Sequence, residues 1–348
     1  MFKYLLNKLA SMLSNNIGAL GLTGDQVSLY RKDMYKAERE GMMEIPPMYP
    51  KIFKVVSGKE VTGAGNKHTQ LLSAGALTRH TTEGQDIEFN SPVEGWTTLV
   101  KYHTYSDGLS FSPEAIEDTV KLGNLLKELA NTWGQELRVA KETMASTVFN
   151  DGSDLLGNYV FNGTHAGNTD SSGNLMYDSE PLFNLTGNTR STKGGGTYYN
   201  SISGLTVTPD DFETMYNLMT KTNNRDEQDR IKSNPVDTML TEPGADHFKA
   251  RRILETVRGL PNSEVNDINP YSGLIINIWK WDYLSDSAFY VGKAQHKDFQ
   301  FHERMSPVIR FFRNENNAGY KASIRVRFGV FLRAGSWKAW GKGGGTYA

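Results

Sequence analysis

The spacing of hydrophobic and polar positions changes along this chain, and each spacing predicts a different element. Near the C-terminus Ala322, Ile324, Val326, Phe328, Val330 and Leu332 alternate with Ser323, Arg325, Arg327, Gly329, Phe331 and Arg333. A period of two over that length predicts a strand well beyond the common ~5–6 residues. Phe299 to Glu303 and Val308 to Phe312 predict two further strands, which together with the first imply an elongated antiparallel sheet. Upstream, Ile116, Val120, Leu126, Leu129, Trp133, Leu137, Ala140, Met144 and Val148 fall on one helical stripe. Ser112-Pro113-Glu114 supplies a helix start, with a hydroxyl to cap free amides and a proline tolerated in the first turn. A helix from there to Phe149 would be roughly 55 Å long at 1.5 Å per residue, about three times the usual length.

Between these regions the pattern is mixed. Thr208-Pro209-Asp210-Asp211 predicts a capped helix to about Thr220, and the polar run Thr222 to Arg230 reads as a solvated loop. Val236 to Thr241, Leu274 to Trp281 and Ala288 to Val291 predict strands, and Asp246 to Arg258 a helix, so this stretch is a mixed α/β unit. Residues 151 to 205 are rich in Gly, Asn, Ser and Thr and read as loops and short strands. Glu44 to Pro50 holds three prolines in seven residues, an extended connection that ends an N-terminal arm. At its start Phe2, Leu5, Leu6, Leu9, Met12 and Leu13 oppose Lys3, Asn7 and Lys8. That amphipathic pattern suits a docking arm, with a secretion signal and a membrane-surface helix as alternatives. From Val61 to Trp96 the chain is too polar to build a core of its own; a hairpin arm reaching another subunit would satisfy both its backbone and its few apolar residues.

Composition narrows the picture. The 348 residues are 38% hydrophobic, enough for a real core, and 38 Lys and Arg against 39 Asp and Glu leave a net charge of -1. No basic excess exists to coat nucleic acid, so any DNA contact is expected to be local and weak. Cysteine is absent, which excludes disulfides, thiolate metal sites and cysteine nucleophiles. No run approaches the roughly 20 apolar residues of a membrane-spanning helix.

Candidate chemistry fails residue by residue, and no catalytic, cofactor-binding or metal residue is expected. Gly335 to Gly343 superficially resembles a phosphate loop, but the glycine spacing is one too long and Gly343 stands where a Ser or Thr is required. Gly63-Ala-Gly65 lacks the third glycine of a dinucleotide fingerprint. The histidines His68, His80, His103, His165, His247, His296 and His302 form no His-Glu-x-x-His pair. Asn168, Asp170, Ser172 and Gly173 partly imitate a calcium loop, yet Ser179 occupies the place of the bidentate acid and Glu180 comes one position late. No Gly-x-Ser-x-Gly elbow exists for a serine hydrolase. The hexapeptide Lys-Gly-Gly-Gly-Thr-Tyr occurs twice, at Lys193 to Tyr198 and Lys342 to Tyr347, with unrelated flanks.

Five segments, in order, carry a resemblance. They are Glu83-Gly-Gln-Asp-Ile87; Tyr105-Ser-Asp-Gly108-Leu-Ser-Phe111-Ser-Pro-Glu114 with Glu117-Asp118; Phe161-Asn-Gly-Thr-His165; Asn269-Pro-Tyr271 leading to Leu274–Trp281 and Asp286–Tyr290; and Arg325-Val-Arg327-Phe-Gly329 with Trp337. In that order the chain resembles the major head proteins of tailed double-stranded-DNA bacteriophages with the Hong Kong ninety-seven-type capsid fold, above all the Mu-like head-subunit branch. The likeness spans about Tyr49 to Trp340. It implies an α+β subunit with an N-arm at 1–50, an extended loop at 51–107, a peripheral domain with a long spine helix at 108–162, an insertion at 163–207, an axial α/β domain at 208–292 and closing peripheral strands at 293–348. It further implies a virion protein assembled in the host cytoplasm, partnered by copies of itself in hexamers and pentamers. Portal, scaffold or decoration proteins and loosely held double-stranded DNA would be further partners, and no membrane would be involved. An encapsulin-like nanocompartment subunit, or a hydrolase or nucleotide-binding enzyme with an unrecognised site, are the other readings.

Overall fold

The computed structural model describes residues 24–61, 63, 65–72, 83, 93–112, 122–153, 180–187, 189–192, 194–257, 268–285, 287–313 and 319–345. The amphipathic segment 2–13, the helix start at 113–114, the segment 161–165 and the calcium-loop imitation 168–179 lie outside these residues. The fold is α+β and the chain divides into two compact units. One gathers Met1–Pro47, Tyr102–Glu142 and Glu303–Phe328; the other gathers Met48–Lys101, Thr143–His302 and Gly329–Ala348.

In the first unit helix α1, Gly24–Met43, packs by close approach rather than by large side chains. Tyr30, Met34, Ala37 and Gly41 recur at helical spacing on it, and a methyl group on Gly41 would overlap the Asn131 carbonyl. Gly134 repeats the device from the other side, since its missing Cβ makes room for the Glu38 carbonyl. Asn131 and Gly134 belong to a long helix, described over Leu122–Asn150, whose first part lies in this unit. A short helix, Tyr49–Ile52, comes between in the chain, so the long helix is α3. Met34 and Ala37 meet Leu126, Ala130 and Trp133 of α3, and the cluster closes on Ile309, Phe311, Tyr320, Ala322 and Ile324. Buried Trp133 keeps its indole satisfied by donating Nε1 to Asp107 Oδ2 at 2.6 Å.

Those last apolar residues belong to two long strands, β11 at His296–Arg313 and β12 at Tyr320–Leu332. From Ala322 to Phe328 the buried positions of β12 are the alternating set read from the sequence, and from Phe328 to Leu332 every residue is buried. The two separate strands expected at 299–303 and 308–312 are instead one 18-residue strand that passes through Pro307. Its neighbours in the sheet are β12 and the five-residue β1, Phe53–Ser57, which is too short to cover it; a proline is tolerated where no ladder bond is needed. The sheet order is β1-β11-β12-β4, with β4 at His103–Phe111 pairing antiparallel to β12 from Phe111↔Tyr320 to His103↔Phe328.

The second unit is built on a five-stranded mixed sheet, β7-β13-β10-β8-β9: Ser201–Ile202, Trp340–Gly344, Ala288–Gly292, Thr238–Thr241 and Asn277–Lys280. Helix α4, Pro209–Asn217, starts with Thr208 accepting from Asp211 N at 3.3 Å, as its cap sequence predicts. It ends earlier than expected, loosening into a π-helical turn over Leu218–Thr222. Phe212, Met215, Leu218 and Met219 of this segment pack with Ala250, Ile253 and Leu254 of α5, Ala245–Glu255, over Met239, Phe289 and Val291 of the sheet. A second core forms around Phe149, whose ring centroid lies 5.0 Å from Tyr290, 5.6 Å from Phe299 and from Trp340, and 5.7 Å from Trp281. The same unit carries a two-stranded hairpin, β2 at Gly65–Leu72 and β3 at Val93–Lys101, with a bulge between Thr69 and Leu71.

Candidate functional site

The motifs that imitate chemistry serve packing. Gly335 begins a turn, Ser336–Lys338 a short 3-10 helix, and the glycines that follow lie in β13, between β7 and β10 of the five-stranded sheet. A methyl at Gly341 would strike Met219 Sδ and Met215 Cε, and one at Gly343 would enter the Phe289 ring. The fully buried Lys342 donates from Nζ to Ser153 Oγ at 3.0 Å. These glycines therefore admit side chains of the core, and the Gly-Lys pair faces no phosphate cradle.

Residues 194–198 of the first hexapeptide copy, with Thr192, close around a carboxylate. Asp229 accepts from Thr192 Oγ1 at 2.6 Å, Gly196 N at 2.8 Å and Tyr198 Oη at 3.0 Å. Burial pushes the Asp229 pKa upward, but those hydrogen bonds outweigh it and hold the acid below its ordinary value. The run Thr222 to Arg230, expected to be a solvated loop, is thus an ordered turn: Asn223 is 0% exposed and Glu227 3%. Arg230 grips Asp226 from Nε at 3.0 Å and Nη2 at 2.7 Å, and Lys338 pairs with Glu227 at 3.2 Å.

The described histidines stand apart in role. His103 is exposed on β4, and His247 meets Thr241 Oγ1 at 3.2 Å. His302 is 1% exposed, with Nε2 against Gln300 Oε1 at 2.8 Å; burial, with Arg333 beside it, drops its pKa to about 4. His68 of β2 and His302 both set an edge against the Phe331 ring, at 6.4 and 5.0 Å. His296 faces Asp298 at 3.9 Å, while His80 and His165 lie outside the described residues. Among the described residues no group of three His, Asp or Glu side chains is placed to hold a metal ion. Among them, too, no helix is long and apolar enough to cross a membrane.

What the structure offers is surface. Among the described residues strand β4 pairs with β12 alone and so lies at the edge of its sheet, and His103 to Ser110 are all exposed, Tyr105 by 38% and Leu109 by 45%. An open nine-residue edge is a template for pairing with another chain. The β2–β3 hairpin forms a sheet of two strands with Leu71 71% exposed, and two strands alone are marginally stable. In the second unit a cleft of about 440 Å³ is bordered by Arg225, Lys232, Lys293, Lys297 and Lys338. Sequence reading missed this cleft because its cations come from three separate segments, around 225–232, 293–297 and Lys338. The local signal was Lys293-Ala-Gln-His296-Lys297, a basic run that leads into β11.

No family model and no curated protein matches the sequence. Solved structures do resemble the fold. The capsid of the cyanophage P-SCSP1u is 10% identical with a TM-score of 0.49, covering 87% of this chain and 89% of that one. A chain of Mycobacterium phage Patience is 11% identical with a TM-score of 0.48, covering 94% and 91%. A virus-like particle from Pyrococcus furiosus is 9% identical with a TM-score of 0.47, covering 89% and 98%.

Proposed function

We propose that the chain is a structural shell subunit, the major capsid protein of a tailed double-stranded-DNA bacteriophage with the Hong Kong ninety-seven-type fold. The observation that carries this reading is the pair of surfaces that need another chain, the exposed edge strand β4 and the two-stranded hairpin β2–β3. The ordered sequence resemblance supports it, because the hairpin falls in the segment likened to the extended loop and α3 in that likened to the spine helix. In this reading copies meet as hexamers and pentamers, and hairpins and N-terminal arms lap their neighbours. Many weak contacts then sum through symmetry, and closure of the shell takes the place of catalysis. The near-neutral chain touches the enclosed DNA weakly, within a virion assembled in the host cytoplasm.

The reading is tested by deleting residues 62–95, which takes away β2 and the first three residues of β3 and so abolishes the hairpin pairing. The expected product is a folded subunit, monitored by circular dichroism and size exclusion, that forms no shells under conditions where the intact chain does. Normal particles from the deletion would contradict the proposed role of the hairpin. Nucleic acid inside the wild-type shell separates a genome container from a nanocompartment loaded with enzyme.

A further inference from the structure

The cleft of about 440 Å³ in the second unit is bordered by five cations and three acids, a net charge of +2 with His296 neutral. Two of the acids are already held, Glu227 by Lys338 and Asp226 by Arg230, which is not part of the lining. Asp298, beside His296, is left to face Arg225, Lys232, Lys293 and Lys297, and none of these four makes an ion pair among the described residues. The turn 293–297 holds two of these cations in place. Gln295 at its centre takes φ +50°, a left-handed conformation that is strained for a residue with a side chain. Four hydrogen bonds keep it there: Lys293 N donates to Ala339 O at 2.9 Å, Ala294 N to Asp237 Oδ1 at 3.0 Å, Gln295 N to Ile52 O at 2.8 Å and Gln295 Nε2 to Pro50 O at 2.9 Å. The fold thus maintains a strained turn whose effect is to bring Lys293 and Lys297 to one cleft.

Burial holds the His296 imidazole below its ordinary pKa; Asp298 opposes that shift, and Lys297, Lys293 and Lys338 add to it, so three ammonium groups act on one ring. Like charges gathered in this way repel one another until an anion enters. The lining also selects the kind of anion. Ammonium and guanidinium groups donate and never accept, so a ligand made of acceptors alone, with more than one negative charge, matches them. Lysine binds phosphate in this manner, as a point charge. Among the described residues the His296 imidazole is the only aromatic ring in the lining, so the cleft offers little for a nucleobase to stack on. We infer that the cleft binds the phosphate groups of a free oligophosphate, with Lys232, Lys293 and Lys297 as its main contacts. The inference goes beyond the shell-subunit reading and does not depend on it, because the site lies within one chain.

The test uses the full-length chain and inorganic tripolyphosphate in magnesium-free buffer, followed by titration calorimetry. Binding is expected to saturate, to weaken with added salt, and to fall by about tenfold or more in the Lys293→Gln, Lys297→Gln chain. Lys36→Gln with Lys127→Gln removes the same charge from exposed positions of the first unit and should leave binding unchanged. A footprint on the unaltered chain guards against misfolding of a variant: tripolyphosphate should protect Lys232, Lys293 and Lys297, and not Lys36, from acetylation read by mass spectrometry. Absence of saturable binding overturns the proposal, as does an equal loss in the two double variants or a lack of protection at the three lysines. A single-stranded DNA decamer, run in parallel, separates the sources of phosphate. Protection by the decamer without protection by tripolyphosphate overturns the assignment to a free oligophosphate, while tripolyphosphate that binds alone and displaces the decamer upholds it.

Discussion

Two copies of one hexapeptide lie in the second unit, and their described residues, 194–198 and 342–345, sit in different surroundings. Residues 194–198 form a loop that wraps the Asp229 carboxylate and ends in strand β6, Thr197–Tyr198, paired with β5, Arg190–Ser191. Residues 342–344 form part of a buried strand, in register with Phe289 and Tyr290 of β10 on one side and Ser201 and Ile202 of β7 on the other. Both copies place their middle glycine at positive φ, Gly195 at +94° and Gly344 at +73°; the loop glycines also give room to a carboxylate, and Gly343 of the strand gives room to an aromatic ring. The loop is held by a charge and the strand by packing, so the two should respond to different perturbations.

The largest effect is expected in the strand. Gly343→Ala forces a methyl into the Phe289 ring within a sheet that cannot shift freely, and should cost about 3 kcal/mol in denaturant unfolding. Unchanged stability would show that the ring can move aside. Acid comes next, and it acts on both the whole chain and the loop. His302 is kept neutral with a pKa near 4 against an ordinary 6.5, so the unfolded chain takes up a proton first and stability falls as pH drops from 6.5 toward 4. That difference corresponds to about 3 kcal/mol, and His302→Asn should flatten the slope in a pH series of melting curves. Asp229 has the opposite sign of charge and a depressed pKa. Its contribution is present above the ordinary carboxylate value of 3.8 and is lost as pH falls through its lower folded value. Hydrogen exchange in the His302→Asn background should therefore show 194–198 opening in acid before 342–344.

Removing the carboxylate tests the same anchor at neutral pH. Asp229→Ala strands the donors of Thr192, Gly196 and Tyr198 and should cost about 2 kcal/mol, with faster exchange at 194–198 and none at 342–344. The smallest expected effect is Gly195→Ala, where open space surrounds the absent Cβ but φ is +94°. A cost of about 1 kcal/mol is expected from backbone strain alone. A neutral result would mean that the loop can take another conformation.

What was legible in the sequence follows the same division. Strand β12 and the stripe of α3 were readable because burial on one face imposes a period on the side chains. The short strands β5, β6 and β7 fall in the stretch read as loops and short strands, though their positions were not readable, and the continuity of β11 was hidden by Pro307, tolerated because β1 is too short to cover the whole of β11. Helix α1 was not anticipated because its contact rests on Gly41 meeting Gly134-bearing α3, and a glycine contact leaves no hydrophobic signature. The ordered turn at 222–230 looked solvated because Asp229, Glu227 and Asn223 find partners distant in sequence, Thr192, Lys338 and Tyr199 among them. The imitation of a phosphate loop failed on spacing alone, and the structure supplies the physical reason in Met215, Met219 and Phe289. Cleft and edge strand escaped notice for one reason: a surface has no spacing rule.

The central claim is that this chain closes into shells through such surfaces. Negative-stain microscopy of the purified full-length protein, taken from fractions that sediment as large assemblies, tests it most directly. The account predicts uniform hollow particles of icosahedral outline, while a chain that stays monomeric across salt, pH and concentration would contradict it.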